Sequence, residues 1–238
     1  MNEMYEQEQR QYAYGGVETL NNYVSKTFGW MFGGLALTAA VAFLGYASGL
    51  TWNLLLSGGT MFLLLITFAE LGVVMYLSAR IHAMQVGTAR ALFFVYSALN
   101  GLVFSMYFFL FELSSMALAF VAAAAYFGLM AVYGHFTKRD LTSWGRMLSM
   151  GLIALLVVGM FSMLFGFGFS GVLYSALGIA LFLGLTAYDT QKLKDYYFAF
   201  GGNSEMAAKA SIFGALNLYL DFINIFLFVL RLVGRNRD

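Results

Sequence analysis

The chain has 238 residues, of which 61% are apolar and only 11% charged, with a net charge of +1. A soluble domain is nearer half apolar and a quarter charged, and one core cannot hide the excess, so lipid is the solvent this composition fits. The small net charge argues against a nucleic-acid partner, and the lack of cysteine excludes disulfides, thiol nucleophiles and thiolate metal sites.

The first residues, MNEMYEQEQRQYAYGGVETL, are polar and acidic. They lack the basic start and short apolar core of a cleaved signal peptide. The first apolar run is therefore expected to act as an uncleaved signal anchor. Residues 1–26 read as a polar tail and 27–234 as one membrane domain.

A hydrocarbon core needs about 20 apolar residues in a helix. Runs of that kind cover 28–50, 54–79, 89–111, 116–136, 147–167 and 172–188. A seventh, 210–233, carries Asn217, Asp221 and Asn224. The connections TWN, IHAMQVGT, ELSS, TKRDLTSWGR and GFS are short, and the longest lies within 192–209. The runs are continuously apolar, unlike the alternating strands of a membrane barrel. The expected fold is thus all-α, an integral membrane bundle of seven helices.

Glycines at 29 and 33, and at 45 and 49, have the spacing of close helix contacts, although a glycine-rich chain gives such pairs by chance. Trp30, Trp52 and Trp144 fall at run ends, where an interfacial belt belongs.

Lys and Arg set the orientation. If all seven runs span, Arg10, Lys26, Arg80, Arg90, Lys138, Arg139, Arg146, Lys192, Lys194 and Lys209 share one side and the opposite loops carry none. This predicts a cytoplasmic N-terminus. Arg231, Arg235 and Arg237 disagree, so run seven either spans against the rule or is re-entrant; spanning is the favoured reading.

A carboxylate in a bilayer costs about 2.5–3.5 kcal/mol on insertion scales. Glu70 lies inside run two, Asp189 ends run six, Asp221 is in the middle of run seven, and Glu112 sits at a helix end where water reaches it. If helix six continues to near Phe200 and helix seven starts near Ala207, the two aspartates lie roughly 16 and 21 Å from their helix ends, and they could meet. Two buried carboxylates in contact share one proton, which makes a proton switch. The plainer alternative leaves Asp189 as the interfacial end of helix six, paired with Lys192. Asn217, Asp221 and Asn224 lie on one helix face, facing a cavity or forming interhelical hydrogen bonds. Arg80 ends run two, as either a gating partner for the aspartates or a loop-side basic residue.

Several membrane chemistries fail on their residues. The last apolar run, 210–233, has no lysine for retinal. His82 and His135 are the only histidines and sit at run ends, so a serine–histidine protease pair is unsupported. An intramembrane aspartyl protease is the nearer rival, since such enzymes carry YD on one helix and GxGD on the next. Here Tyr188 precedes Asp189, but LYL precedes Asp221, and the chain has no proline for that class's Pro-Ala-Leu element. No enzymatic activity is expected, and neither a histidine cluster nor a calcium-binding acidic loop is present.

The segment TAYDTQKLK, followed by ALNLYLDFINIFLFVLRLVG, resembles the Bax inhibitor family (the transmembrane Bax inhibitor motif, or lifeguard, proteins) in its bacterial branch. The seven runs, the acidic tail ending in GGV and a helix-two glutamate agree, so the likeness covers nearly all of 15–234. It implies six helices around a central seventh, in a bacterial inner membrane. It implies a pH-sensitive calcium leak, gated by a proton-sharing aspartate pair that matches Asp189 and Asp221, where calcium would rest transiently. A helix-two arginine latches to the pair in that family, and Arg80 is the nearest match. Glu70, Asn217 and Asn224 are then pore or polar-core candidates. The implied partners are the lipid bilayer, protons and calcium as the permeant ion, with no resident cofactor. Some bacterial relatives are instead linked to a membrane-anchored AAA protease, so a quality-control regulator without transport activity is the alternative.

Overall fold

The computed structural model describes residues 19–165, 171–200 and 204–235. Among them are seven helices: α1 Leu20–Ala47, α2 Leu50–Arg80, α3 Val86–Leu110, α4 Leu113–Phe136, α5 Thr142–Phe165, α6 Gly171–Phe200 and α7 Ser204–Val233. Each contains a stretch long and apolar enough to cross a membrane. The all-α, seven-span expectation therefore holds, and the chain is a multi-pass membrane protein.

Helix boundaries depart from the apolar runs for local reasons. α1 begins before run one, because the Thr19 hydroxyl accepts from the Asn22 amide and caps a polar first turn. Trp30 consequently lies well inside α1 instead of at its end. The expected TWN connection is helical, and the turn falls at 48–49, where Gly49 takes φ +70°. α6 runs on to Phe200, as expected, and α7 starts three residues before Ala207. The expected GFS connection lies outside the described residues.

Within α2, Gly59 breaks the helix with φ +50° and ψ −134°, a conformation open essentially to glycine alone. The piece after it, 60–80, is roughly 30 Å long and can cross a bilayer by itself. α7 is unbroken over 30 residues, a length that fits a full crossing and supports the spanning reading of run seven. It is also the most buried span, with 67% of its apolar stretch enclosed against 39% or less elsewhere.

The chain divides into two compact units. One holds the described residues through Phe109 together with Leu193–Tyr219, and the other holds those of Leu110–Lys192 and from Leu220 onward. In the first unit, Gly34 packs against Phe93 and Ser97, and Gly101 against Val41 and the Thr38 carbonyl. The spacing of four misleads at Gly29, where an added Cβ would meet nothing within 4 Å.

In the second unit α5 and α6 pack antiparallel, and their contacts keep one register. Gly145 meets the Tyr188 ring, Leu148 covers Gly184, Leu181 covers Gly151, and Gly159 meets the Tyr174 hydroxyl. The Gln191 amide extends the register into the α4–α5 connection, accepting from the Leu141 amide and donating to the Arg139 carbonyl, each at 2.8 Å. α6 is thus held along its length up to the turn that carries Asp189.

Candidate functional site

Asp189 and Asp221 both belong to the second unit. Asp221 is 3% exposed, in the middle of α7, and Asp189 is half-buried on α6. The two carboxyls lie close enough to repel each other when both are charged. Asp221 Oδ2 is enclosed and has no hydrogen-bond partner among the described residues. Thr186 lies beside the same carboxyl, one turn before Asp189, while donating to the Phe182 carbonyl at 2.8 Å. The Thr190 hydroxyl, next in sequence to Asp189, is buried without a partner as well.

Lys192 is near enough to attract Asp189, and its ammonium sits 5.3 Å from the Tyr188 ring centroid. Asp189 does not end its helix, which runs on to Phe200, and it lies between the influence of Lys192 on α6 and that of Asp221 on α7. Phe222, next in sequence to Asp221, packs edge-on to Phe120 and Phe127 of α4. An enclosed carboxyl oxygen without a donor costs free energy until it finds a partner. The arrangement can hold a proton between two acids, or a cation when both have lost theirs.

Asn224 is half-buried and donates to the Leu220 carbonyl of its own helix at 2.8 Å. Asn217 is also half-buried, in the first unit. Arg80 is exposed, in the last turn of α2, with no ion pair among the described residues.

Glu70 belongs to the first unit and leads to residues the sequence reading overlooked. It is half-buried, with Oε1 enclosed and unpartnered. Its charge reaches the hydroxyls of Tyr96 and Tyr219. Tyr219 is fully buried and shares a 2.7 Å hydrogen bond with Thr38, whose hydroxyl also lies 2.8 Å from the Ser97 carbonyl. Asn100 lies beside the Tyr96 hydroxyl and donates to the Tyr96 carbonyl at 3.2 Å. The usable signal was polar residues inside apolar helices, in YSALN and LNLYLD, where the tyrosine and serine hydroxyls give a weaker signal than the carboxylates and asparagines.

The last described residues are tied down. The Arg235 carbonyl accepts from the Glu112 amide at 3.2 Å, and the Arg235 amide donates to the Ser115 hydroxyl at 3.1 Å. Arg231 stacks over Tyr174 at 5.3 Å. Arg237 lies outside the described residues.

Known proteins resemble the chain over nearly all its length. The family model "Inhibitor of apoptosis-promoting Bax1" matches residues 20–238. The inner membrane protein YbhL of Escherichia coli K12 is 40% identical over 221 residues, covering 92% of this chain and 93% of that one. A protein of Deinococcus radiodurans is 39% identical over 223 residues, covering 93% and 94%. YrjE of Lactococcus lactis is 34% identical over 224 residues, covering 92% and 94%. With a match that takes in all seven helices and both aspartates, the chain belongs to the Bax inhibitor family.

Proposed function

We propose that this protein is a pH-sensitive leak for calcium, gated by Asp189 and Asp221, in the inner membrane of a bacterium. The observation that carries the reading is the meeting of two carboxyls around an enclosed, donorless oxygen on Asp221. While the pair shares a proton it bears one negative charge, and α6 and α7 stay together. Loss of that proton leaves two charges in contact, whose repulsion favours separation of the two helices. Calcium is the ion that two carboxylates flanked by threonine hydroxyls suit, since it prefers hard oxygen ligands.

The deep burial of α7 suits a central helix, and the relative named as an inner membrane protein supports the location. The basic residues on one set of segments support a cytoplasmic N-terminus. Arg80 enters as a gating residue and Glu70, Asn217 and Asn224 as polar-core residues. Purified protein in liposomes with a trapped calcium dye tests the proposal. Flux should exceed that of empty liposomes and change between about pH 5 and about pH 8. Flux equal to empty liposomes at every pH would overturn the leak and favour a quality-control role alongside a membrane AAA protease.

A further inference from the structure

A second feature lies in the first unit, where α2 ends and α7 begins. A cavity of about 50 Å³ opens there, walled by Ile81, His82, Tyr196, Phe200 and Phe213, with Lys209 at its edge. A water needs only about 10–15 Å³ on the same measure. The space therefore takes a group of a few heavy atoms, the size of a phosphate, and not a whole lipid headgroup.

Lys209 is the one side chain of fixed charge in this wall, and it is 6% exposed. Its ammonium has three donors. One meets Glu205 Oε1 at 2.8 Å and another the His82 carbonyl at 3.3 Å. The Glu205 side chain is 63% exposed and one helical turn away, so it can swing into water without disturbing the fold. Aromatic rings beside a buried ammonium at a helix end suit the headgroup level of a bilayer.

We propose that this cavity binds the oxyanion of a phosphate group, with Lys209 as counter-ion and Glu205 as an internal stand-in that the ligand displaces. Two sources supply that chemistry, the phosphodiester of an anionic lipid and free inorganic phosphate.

The test uses the full chain in uncharged detergent, and reads the thermal unfolding midpoint as phosphatidylglycerol, phosphatidylcholine or inorganic phosphate is added. A ligand that binds only the folded state raises the midpoint with concentration. A rise with phosphatidylglycerol but not with the other two assigns a lipid. A rise with inorganic phosphate assigns a free anion. In either case Glu205→Gln should bind about threefold tighter, because the competing carboxylate is gone, and Lys209→Gln should lose the response. The Glu205→Gln variant keeps the test decisive if Lys209→Gln does not fold. No response in wild type and Glu205→Gln, binding unaltered by Glu205→Gln, or a response retained in Lys209→Gln would overturn the proposal.

Discussion

Gly134 of α4 lies directly against the carbonyl of Ala187 in α6, so that a Cβ at position 134 would overlap that oxygen. The obstacle is backbone, which cannot rotate away as a side chain does. Gly134→Ala must therefore push α6 outward two residues before Asp189. Overpacking of this kind costs about 1–3 kcal/mol. Gly128 on the same helix has nothing within 4 Å of its would-be Cβ. Gly128→Ala should be neutral, or stabilising by roughly 0.5–1 kcal/mol through helix propensity. Gly134→Ala should lower the unfolding midpoint and alter the pH response of calcium flux, while Gly128→Ala does neither. Equal behaviour of the two variants would remove the Gly134 contact from the account.

The same contact shows what a sequence discloses and what it withholds. The seven spans were readable because each needs only a run of apolar residues. Asp189 and Asp221 were readable because a carboxylate in lipid is expensive, and counting residues to the helix ends put them at comparable depths. Gly134 was not readable. Its neighbour is 53 positions away, and only the register of packed helices brings them together. Tyr219 and Thr38 escaped for a related reason, since a neutral hydroxyl in an apolar helix carries little cost until its partner is known. Gly59 shows the opposite case: the break was legible in SGGT, since Ser–Gly and Gly–Gly pairs interrupt helices, but the continuous apolar run around it reads as one span.

Glu70 offers a separate test. Its Oε1 is buried without a donor, and removing an unsatisfied buried group by an apolar one is nearly neutral or stabilising. Glu70→Leu should therefore keep or raise the unfolding midpoint, and should change the calcium leak. Tyr219→Phe should instead lower stability by about 1 kcal/mol, since it deletes the hydroxyl bonded to Thr38. Normal leak and an unchanged pH profile in Glu70→Leu would withdraw Glu70 from the functional site.

Orientation can be measured with single cysteines, since the chain has none of its own. Thr51 is a poor position, being fully buried and bonded to Ser105 at 2.6 Å. Ser48, in the exposed turn between α1 and α2, and His82, exposed after α2, suit the purpose. Ser48→Cys should react with an impermeant reagent only from outside the cell, and His82→Cys only from the cytoplasm. The reverse pattern would invert the topology.

The aspartate pair yields the sharpest expectation. Asp189→Asn and Asp221→Asn keep the shape of the site and each remove one proton-binding group. Either change leaves the other carboxyl without the charge that opposes it, so each should flatten the pH dependence of flux between about pH 5 and about pH 8. The double variant should do little more than either single one, because members of a coupled unit do not add. Asp140 provides the control. It lies in the α4–α5 connection, where hydrogen bonds from the Thr142 hydroxyl and amide hold its carboxyl below the usual value of 3.8. A depressed carboxyl stabilises the fold above its unfolded value and loses that contribution only as pH falls through its folded value, in the strongly acidic range. Asp140 therefore stays ionised throughout the window of the measurement, and Asp140→Asn should leave the pH profile of flux unchanged. Additive effects of the two pair substitutions would mean that Asp189 and Asp221 titrate as separate sites, and a profile flattened by Asp140→Asn would move the proton sensor out of the membrane.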